Sequence, residues 1–307
     1  MIDFVIINYK TGDLTCSCIK SIFDTYSADA KIVVVDNASP DDSVQTICKN
    51  FPDVKIIKNE QNRGYSFAVN VGVRATNSKL VLVSNADVEF HSDSLHIAEQ
   101  ALSDDEKIGV SGFYEFYPGG KPQRSFGYFP GYKLAFMDMF FIRGIRDNLH
   151  IISRKNKINS TKIHKVEYAD GACLLIRRDV FEMLNGFDED FFFYTEEADF
   201  CRRVWDLGYR VVVNPKATIT HYRGASSTQD FVVFQKEKML AESKIKYLLK
   251  HCSKFETRFF KYAQCSHYLA LAFKEFLVSI LTVKKRYMLK SKMKIKLFKL
   301  WLGVSID

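Results

Sequence analysis

The chain has 307 residues, 47% of them hydrophobic and 26% charged, which is enough for one large α/β domain and an appendage. Its seven cysteines include one close pair, Cys16-x-Cys18, and no second pair or His cluster completes a zinc site, so we expect reduced thiols in a cytosolic protein. The positive charge is concentrated in residues 229–307, with 17 Lys/Arg against 6 Asp/Glu, whereas residues 1–228 have 27 against 30.

The first third of the chain alternates apolar runs with helical spacing. Buried strands are predicted at residues 4–8, 31–35, 54–58 and 80–84, and helices at 11–26, 43–50 and 65–75. No basic segment precedes the first apolar run, so we expect no signal peptide. Such alternation predicts a parallel sheet with right-handed crossovers. Ligands of such sheets bind beyond the carboxyl ends of the strands, where Asp36 and Asp87 are expected.

The phosphate-binding motifs of other α/β proteins do not occur here. There is no G-x-G-x-x-G after the first strand and no G-x-x-x-x-G-K-[ST] anywhere in the chain. If the ligand carries a diphosphate, a metal ion held by carboxylates is the expected substitute for a glycine-rich loop.

Residues 113–165 are rich in aromatic residues, glycine and proline, which predicts a loop region. Aromatic side chains stack on sugars, so its tyrosines, among them Tyr114, Tyr117 and Tyr132, could contact a sugar ligand, and a flap covering the sheet is an equally good interpretation. The basic stretch 143–165 is expected to be a mobile loop.

The stretch from Gly171 to His221 contains most of the candidate catalytic residues. After a predicted strand at 172–176, an aromatic run leads into Thr195-Glu196-Glu197-Ala198-Asp199, where a helix is predicted to begin. Acidic residues are favoured at helix N-termini, so capping is one interpretation, and a general base beside a cleft is the other. Gly171 would let a ligand approach the backbone. Short strands at 211–213 and 218–220 lead to His221.

The C-terminal extension is basic and amphipathic. Residues 233–250 are predicted to be helical, and the apolar stretch 268–283 is too short and too charged to span a bilayer. In residues 284–299 lysines alternate with apolar residues, which is typical of an interfacial helix whose Leu297, Phe298, Leu300 and Trp301 enter the membrane. A hairpin packed on the domain and a subunit contact are the alternatives.

The stretch 171–221 resembles the C-terminal half of the catalytic domain of family 2 glycosyltransferases, most of all their bacterial rhamnosyltransferase-like branch. The resemblance places the catalytic base in the carboxylate pair, on Glu197, with Glu196 as the alternative because glutamate stands where the family usually has aspartate.

The resemblance extends over residues 3–225. Val35-Asp36-Asn37-Ala38-Ser39 resembles the family's nucleotide-contacting V-D-N-x-S segment, and residues 59–72 resemble its N-x-G-F-x-x-x-N-x-G segment. Asn85-Ala86-Asp87 occupies the place of its Asp-x-Asp signature. It thus implies Mg²⁺ or Mn²⁺ on Asp87 and His221, and a nucleotide-sugar site comprising Asp36, Asn37, Arg63, Asn70, Asn85, Asp87 and Gly171.

We therefore expect a GT-A-like α/β domain over residues 1–228, with a mixed, mostly parallel sheet, and a basic amphipathic helical extension over 229–307. The expected activity is inverting, metal-dependent sugar transfer from a nucleoside diphosphate sugar, with dTDP-rhamnose as the first choice. UDP-galactose, UDP-glucose and UDP-N-acetylglucosamine stay open as donors, as does the oligomeric state. The expected acceptor is a glycan or lipid-linked glycan of cell-surface polysaccharide or O-antigen synthesis.

The extension is expected to hold the enzyme on the inner face of the cell membrane, and nucleic acid is not an expected partner. A nucleotidyltransferase is the rival enzyme, although it would not need the 171–221 stretch. A non-catalytic membrane-associated or nucleic-acid-binding module is the rival from another class, and the carboxylate–histidine set argues against it.

Overall fold

The computed structural model describes residues 1–27, 30–140, 162–222 and 230–306. The chain forms two compact units, Met1–Tyr128 with Lys157–Ser226, and Phe129–Asn156 with Ser227–Asp307. Residues 129–140, which the sequence assigned to the catalytic domain, group with the C-terminal helices. Most of the predicted loop 143–165 and the proposed boundary at 228 lie outside the described residues, so both stay predictions.

The described strands are β1 (Ile2–Asn8), β2 (Lys31–Asp36), β3 (Lys55–Lys58), β4 (Leu80–Asn85), β5 (Val88–Phe90), β6 (Ile108–Phe116), β7 (Phe126–Gly127), β8 (His164–Lys165), β9 (Tyr168–Ala169), β10 (Cys173–Arg177) and β11 (Arg210–His221). The described helices are α1 (Gly12–Thr25), α2 (Ser43–Asn50), α3 (Tyr65–Arg74), α4 (Ser94–Asp104), α5 (Tyr132–Met139), α6 (Arg178–Met183), α7 (Glu196–Asp206), α8 (Asp230–His251), α9 (Lys254–Thr282) and α10 (Lys285–Gly303).

The first unit is built on one mixed sheet in the order β3-β2-β1-β4-β10-β6-β11-β5, with β8 beside β11. Strands β1 to β4 run parallel, as predicted. The apolar sequences of β1, β2 and β4 suit parallel strands that helices cover on both faces, whereas no residue of the edge strand β3 is buried. All seven residues of β1 are buried. Strand β10 is antiparallel to both neighbours, β4 and β6, and β6 is parallel to β11.

Two parts of the sequence interpretation are corrected. The short strands expected at 211–213 and 218–220 are one strand, β11, whose pairing with β6 shifts register between Asn214 and Thr218. Tyr114 lies on β6, buried against Phe126, and not in a loop, although Tyr117 and Tyr132 are exposed. Strand β5, helix α4 and most of β6 fall in a segment for which the sequence pattern predicted no elements.

Strand direction gathers polar residues at one edge of the sheet. The carboxyl ends of β1, β2, β4, β6 and β11 meet there. Because β10 runs the opposite way, its amino end, preceded by Asp170 and Gly171, reaches the same edge. Ligand sites of open α/β sheets lie at this edge.

The second unit is helical. Helix α8 confirms the helix predicted at 233–250, and α9 begins with a capping box in which Ser253 and Glu256 satisfy each other's backbone N–H groups. Helix α10 packs on α9 through Trp301, whose ring centroid lies 5.9 Å from that of Phe260, and Leu297 of α10 is buried as well. Both residues are buried, so the expectation that they enter a membrane is wrong. None of the described helices is long and apolar enough to cross a bilayer.

Candidate functional site

A buried histidine joins three parts of the sheet edge. His221 ends β11, and its Nδ1 lies 2.8 Å from Oε2 of Glu115 on β6. Its Nε2 lies 3.4 Å from Oδ1 of Asp87, in the turn between β4 and β5. Burial by itself would lower the pKa of His221, but hydrogen bonds to the two carboxylates outweigh it and raise the pKa to about 9.

The donors around His221 fit a divalent cation. The 3.4 Å between His221 Nε2 and Asp87 suits two ligands of one small cation, which sits about 2.1 Å from each. The Nδ1 hydrogen bond that Glu115 accepts fixes the ring with Nε2 toward Asp87, where a cation would take the place of the Nε2 proton. A second possible donor group overlaps this one at His221, since ligand atoms of Glu115, Asp170 and His221 lie within 4.8 Å of one another. An imidazole with carboxylates suits Mn²⁺, and the carboxylates also suit Mg²⁺.

Of the four residues around this site, the sequence analysis did not identify Glu115 and Asp170 as site residues. Asp87 and His221 were predicted, and the structure places them side by side. Glu115 lies in a strand that carries no motif, so only the fold reveals it. Asp170 could have been found, because an acid next to a glycine directly before a predicted strand is a position where a ligand could approach.

The carboxylate pair stands at the start of α7, as predicted. Thr195 and the residue before it, Tyr194, both have left-handed backbone torsions, with φ of 70° and 72°. Such torsions cost non-glycine residues about 1–3 kcal/mol each and are concentrated at functional sites. The third acid, Asp199, is fully buried and paired with Arg203 at 2.8 Å, so it has a structural role.

The two glutamates have different surroundings. Glu196 is buried, and one of its oxygens has no hydrogen-bond partner in the part of the chain that is described. Burial, with Glu197 and Asp170 nearby, holds the pKa of Glu196 well above its usual value. Glu197 is half-buried and packs on Gly171, where an added Cβ would lie 3.1 Å from the Glu197 Cβ. Gly171 thus leaves the room that Glu197 occupies.

Asp36 and Asn37, predicted to contact the nucleotide, also hold the strand ends together. Asp36 accepts hydrogen bonds from Asn8 Nδ2 at 2.6 Å and from the Ser39 backbone at 3.0 Å. The Asn37 side chain donates to Asn62 Oδ1 at 2.9 Å. Asn85 ends β4, where its backbone N–H donates to Ala172 at 2.9 Å. The contact of these residues with a nucleotide stays a prediction.

Asn70 and Arg63 fasten the segment that leads to the carboxylate pair. The Asn70 amide donates to Phe187 O at 2.8 Å and to Glu189 Oε1 at 3.0 Å, and its oxygen accepts from Phe187 N at 2.9 Å. Arg63 reaches the other Glu189 oxygen at 3.3 Å. The backbone N–H of Tyr65 donates to Phe192 O at 2.8 Å. The start of α3 and the residues before α7 therefore form one framework.

A cavity of about 620 Å³ opens beside Asp87. Residues 10–14 and several residues between 41 and 46 form the rest of its wall, at the amino ends of α1 and α2. A larger cavity, about 940 Å³, includes Asp3, Lys31 and Lys55 at the amino ends of β1, β2 and β3. That larger cavity lies at the wrong edge of the sheet for the residues described above.

Replacing Asn70 by alanine is expected to destabilise the protein by about 1–3 kcal/mol, because the buried backbone groups of Phe187 lose their partner. Urea denaturation measures this. Asn50→Ala removes an exposed side-chain hydrogen bond and should stay within about 0.5 kcal/mol of wild type. Equal stability of the two variants would contradict the role of Asn70.

Glu196→Gln is expected to raise Tm at neutral pH by about 2–4 °C, the shift that about 1 kcal/mol produces in a protein of this size. The folded state holds the Glu196 proton more tightly than the unfolded chain, whose pKa is about 4.3. Wild-type stability therefore falls as pH rises above that value, and the glutamine variant avoids this loss. Melting curves from pH 4 to pH 8 test it, with exposed Glu106→Gln as the control. A variant that melts below wild type at neutral pH would contradict the buried neutral acid.

Comparison with known proteins identifies the family. Residues 3–184 match the family model of glycosyl transferase family 2. An N-acetylglucosaminyl-diphospho-decaprenol L-rhamnosyltransferase of Mycobacterium tuberculosis is 26% identical over 74% of this chain and 77% of its own length. The low-salt glycan biosynthesis hexosyltransferase Agl10 of Haloferax volcanii is 28% identical over 66% of this chain and 61% of its own.

A solved structure extends the likeness in fold. The mannosyltransferase PcManGT from Pyrobaculum calidifontis, in complex with GDP-Man and Mn²⁺, aligns with a TM-score of 0.62 over 98% of this chain and 86% of its own, at 17% identity. The GT-A-like fold and the rhamnosyltransferase-like resemblance are confirmed. The family model spans more than half of the chain, which therefore belongs to glycosyl transferase family 2 and is a glycosyltransferase.

Proposed function

We propose that this glycosyltransferase is inverting and metal-dependent, and that it moves a sugar from a nucleoside diphosphate sugar to a glycan hydroxyl. One observation carries the proposal: the sheet edge that bears the Asp87–His221 pair also bears Gly171, against which the half-buried carboxylate of Glu197 packs. A base can take the acceptor proton and a cation can stabilise the leaving group in a single displacement at an anomeric carbon.

Glu197 is the proposed general base. Its carboxylate takes the proton of the acceptor hydroxyl while that oxygen bonds to the anomeric carbon. The bond from that carbon to the diphosphate oxygen breaks, and the diphosphate leaves with the electron pair from the opposite face, so the configuration inverts. The raised pKa of buried Glu196 favours its neutral form, which would spare Glu197 a second negative charge next to it.

Asp87 and Nε2 of His221 would hold Mg²⁺ or Mn²⁺. Asp170, which has a carboxylate oxygen within 4.8 Å of a His221 ring nitrogen, is the candidate third ligand. When bound, the ion would neutralise negative charge on the diphosphate. Glu115 keeps the His221 ring oriented from the other side. The cavity of about 620 Å³ beside Asp87 offers room for the nucleotide, with Asp36 and Asn37 at the neighbouring strand ends.

The proposed donor is dTDP-rhamnose. The mycobacterial relative, named as a rhamnosyltransferase, supports this choice. The archaeal relative is named only as a hexosyltransferase, so UDP-galactose, UDP-glucose and UDP-N-acetylglucosamine are the alternatives to screen. A thermal-shift panel of these four nucleotide sugars with Mn²⁺ separates them, because a bound donor stabilises the fold by mass action.

The proposed acceptor is a lipid-linked glycan of cell-surface polysaccharide or O-antigen synthesis, used at the inner face of the cell membrane. The name of the mycobacterial relative describes such an acceptor, a sugar on diphospho-decaprenol. The basic C-terminal helices support a membrane location, since α10 has seven Lys/Arg and no acid.

Glu197→Gln is expected to lower transfer about 10²–10⁴-fold, the usual contribution of a general base, while donor binding persists. Transfer is measured with a radiolabelled sugar donor, and donor binding is measured by thermal shift with dTDP-rhamnose and Mn²⁺. Glu196→Gln is the matched control and should retain transfer. If the Glu197 variant is active and the Glu196 variant inactive, Glu196 is the base instead.

Asp87→Asn and His221→Ala should each raise the Mn²⁺ concentration needed for half-maximal activity by at least about tenfold, because the first loses the negative charge of a ligand and the second loses the imidazole donor. Mn²⁺ titrations after EDTA treatment test this, with exposed His96→Ala as the control. Wild-type activity that EDTA does not reduce would contradict metal dependence.

A further inference from the structure

Helix α9 carries an apolar stripe that nothing in the described structure covers. Tyr262, Leu269, Phe273, Phe276 and Ile280 are all exposed, Phe273 by 62% and Ile280 by 56%. Their spacings of 7, 4, 3 and 4 residues put them on one face of a helix that turns about 100° per residue. We call these five residues the α9 stripe. It extends for about 27 Å at about 1.5 Å per residue.

The stripe leads to an exposed apolar turn. Leu281, in the last turn of α9, is 82% exposed, and Val283, between α9 and α10, is 89% exposed. Val283 has a left-handed torsion, φ 54°, which is rare for a β-branched residue. Soluble surfaces rarely present apolar patches of this extent without a partner.

The neighbouring helix supplies positive charge. Helix α10 has seven Lys/Arg and no Asp/Glu, and Lys284 precedes it. The exposed members of this cationic set are Lys284, Lys285, Arg286, Lys290, Lys292, Lys296 and Lys299. The apolar residues Leu297 and Trp301 of α10 point into the helix pair. In this helix pair, α9 therefore presents the exposed apolar surface and α10 presents the positive charge.

Charge decides which partner fits this surface. A second copy would set one uniformly positive helix against another, and juxtaposed like charges are unfavourable. Nucleic acid would pair with the lysines and leave the aromatic stripe in water. An anionic bilayer satisfies both parts, since apolar side chains enter the interface while lysines stay with the head groups.

We propose that the α9–α10 hairpin docks on an anionic lipid bilayer, with the α9 stripe, Leu281 at the end of α9 and Val283 in the turn buried among the acyl chains. This proposal rests on the membrane location proposed above and identifies the surface responsible. The inserting residues belong to α9 and the turn, whereas the sequence had assigned them to α10.

Vesicle co-sedimentation of the full chain tests the apolar half. Vesicles contain equal amounts of phosphatidylcholine and phosphatidylglycerol, with pure phosphatidylcholine as the uncharged comparison. Phe273→Ser with Ile280→Ser should weaken binding to the anionic vesicles by at least about tenfold, because two large apolar side chains no longer leave water. Met183→Ser, at an equally exposed apolar position of the first unit, should bind as wild type.

Lysine substitutions in α10 test the contribution of positive charge to vesicle binding. Lys285→Gln with Lys290→Gln should weaken binding to anionic vesicles about 25-fold, from about fivefold per lysine. The same two changes at Lys49 and Lys79, exposed in the first unit, should have little effect. Wild-type binding should fall steeply between about 0.1 M and 1 M NaCl.

Three results would overturn the proposal: α9 variants that bind like wild type, equal binding to charged and uncharged vesicles, or a dimer in analytical ultracentrifugation that the α9 changes dissociate. The inactive Glu197→Gln enzyme should bind vesicles as wild type does. A failure of the proposed transfer reaction would therefore leave the vesicle result unchanged.

Discussion

The hydrogen bond between Glu115 and His221 is the interaction on which the site depends. It is buried, it joins the carboxyl ends of two neighbouring strands, and it holds the imidazole with its second nitrogen toward Asp87. Without a carboxylate at Nδ1, the ring would lose one of the two carboxylate contacts that orient it toward the turn between β4 and β5. The surrounding low-polarity core strengthens this bond and makes an unpaired partner costly.

The direction of β10 is the second constraint. In a fully parallel sheet its amino end would lie at the opposite edge, and Asp170 and Gly171 would be far from His221. Running antiparallel between β4 and β6, it brings both residues to the edge with the cation donors. Gly171 then contacts Glu197, and the framework from Asn70 to Phe187 fixes the approach to α7. The metal donors and the carboxylate pair thus lie at one edge of the sheet. The antiparallel course of β10 and the hydrogen bonds between Asn70 and Phe187 hold them there.

Sequence alone predicted the parts that local pattern controls. Continuous apolar runs identified β1 to β4, and the motif around Glu197 identified the start of α7 and its carboxylate pair. It missed Glu115 because a buried acid inside a strand has no local signal, and its partner is 106 residues away. It assigned Leu297 and Trp301 to a membrane because alternation of lysine and apolar residues does not reveal which face packs on α9. It could not show whether Asn70 binds a ligand or holds the backbone, because the hydrogen-bond partner, Phe187, lies 117 residues further along the chain.

The most direct test of the central claim is anomalous diffraction from crystals soaked with Mn²⁺ and a nucleoside diphosphate. A cation held by Asp87 and His221 Nε2, while Glu115 stays bonded to Nδ1, should give an anomalous peak within about 2.3 Å of both donors. A peak elsewhere, or a His221 ring turned away from Glu115, would contradict the arrangement from which the proposed mechanism follows.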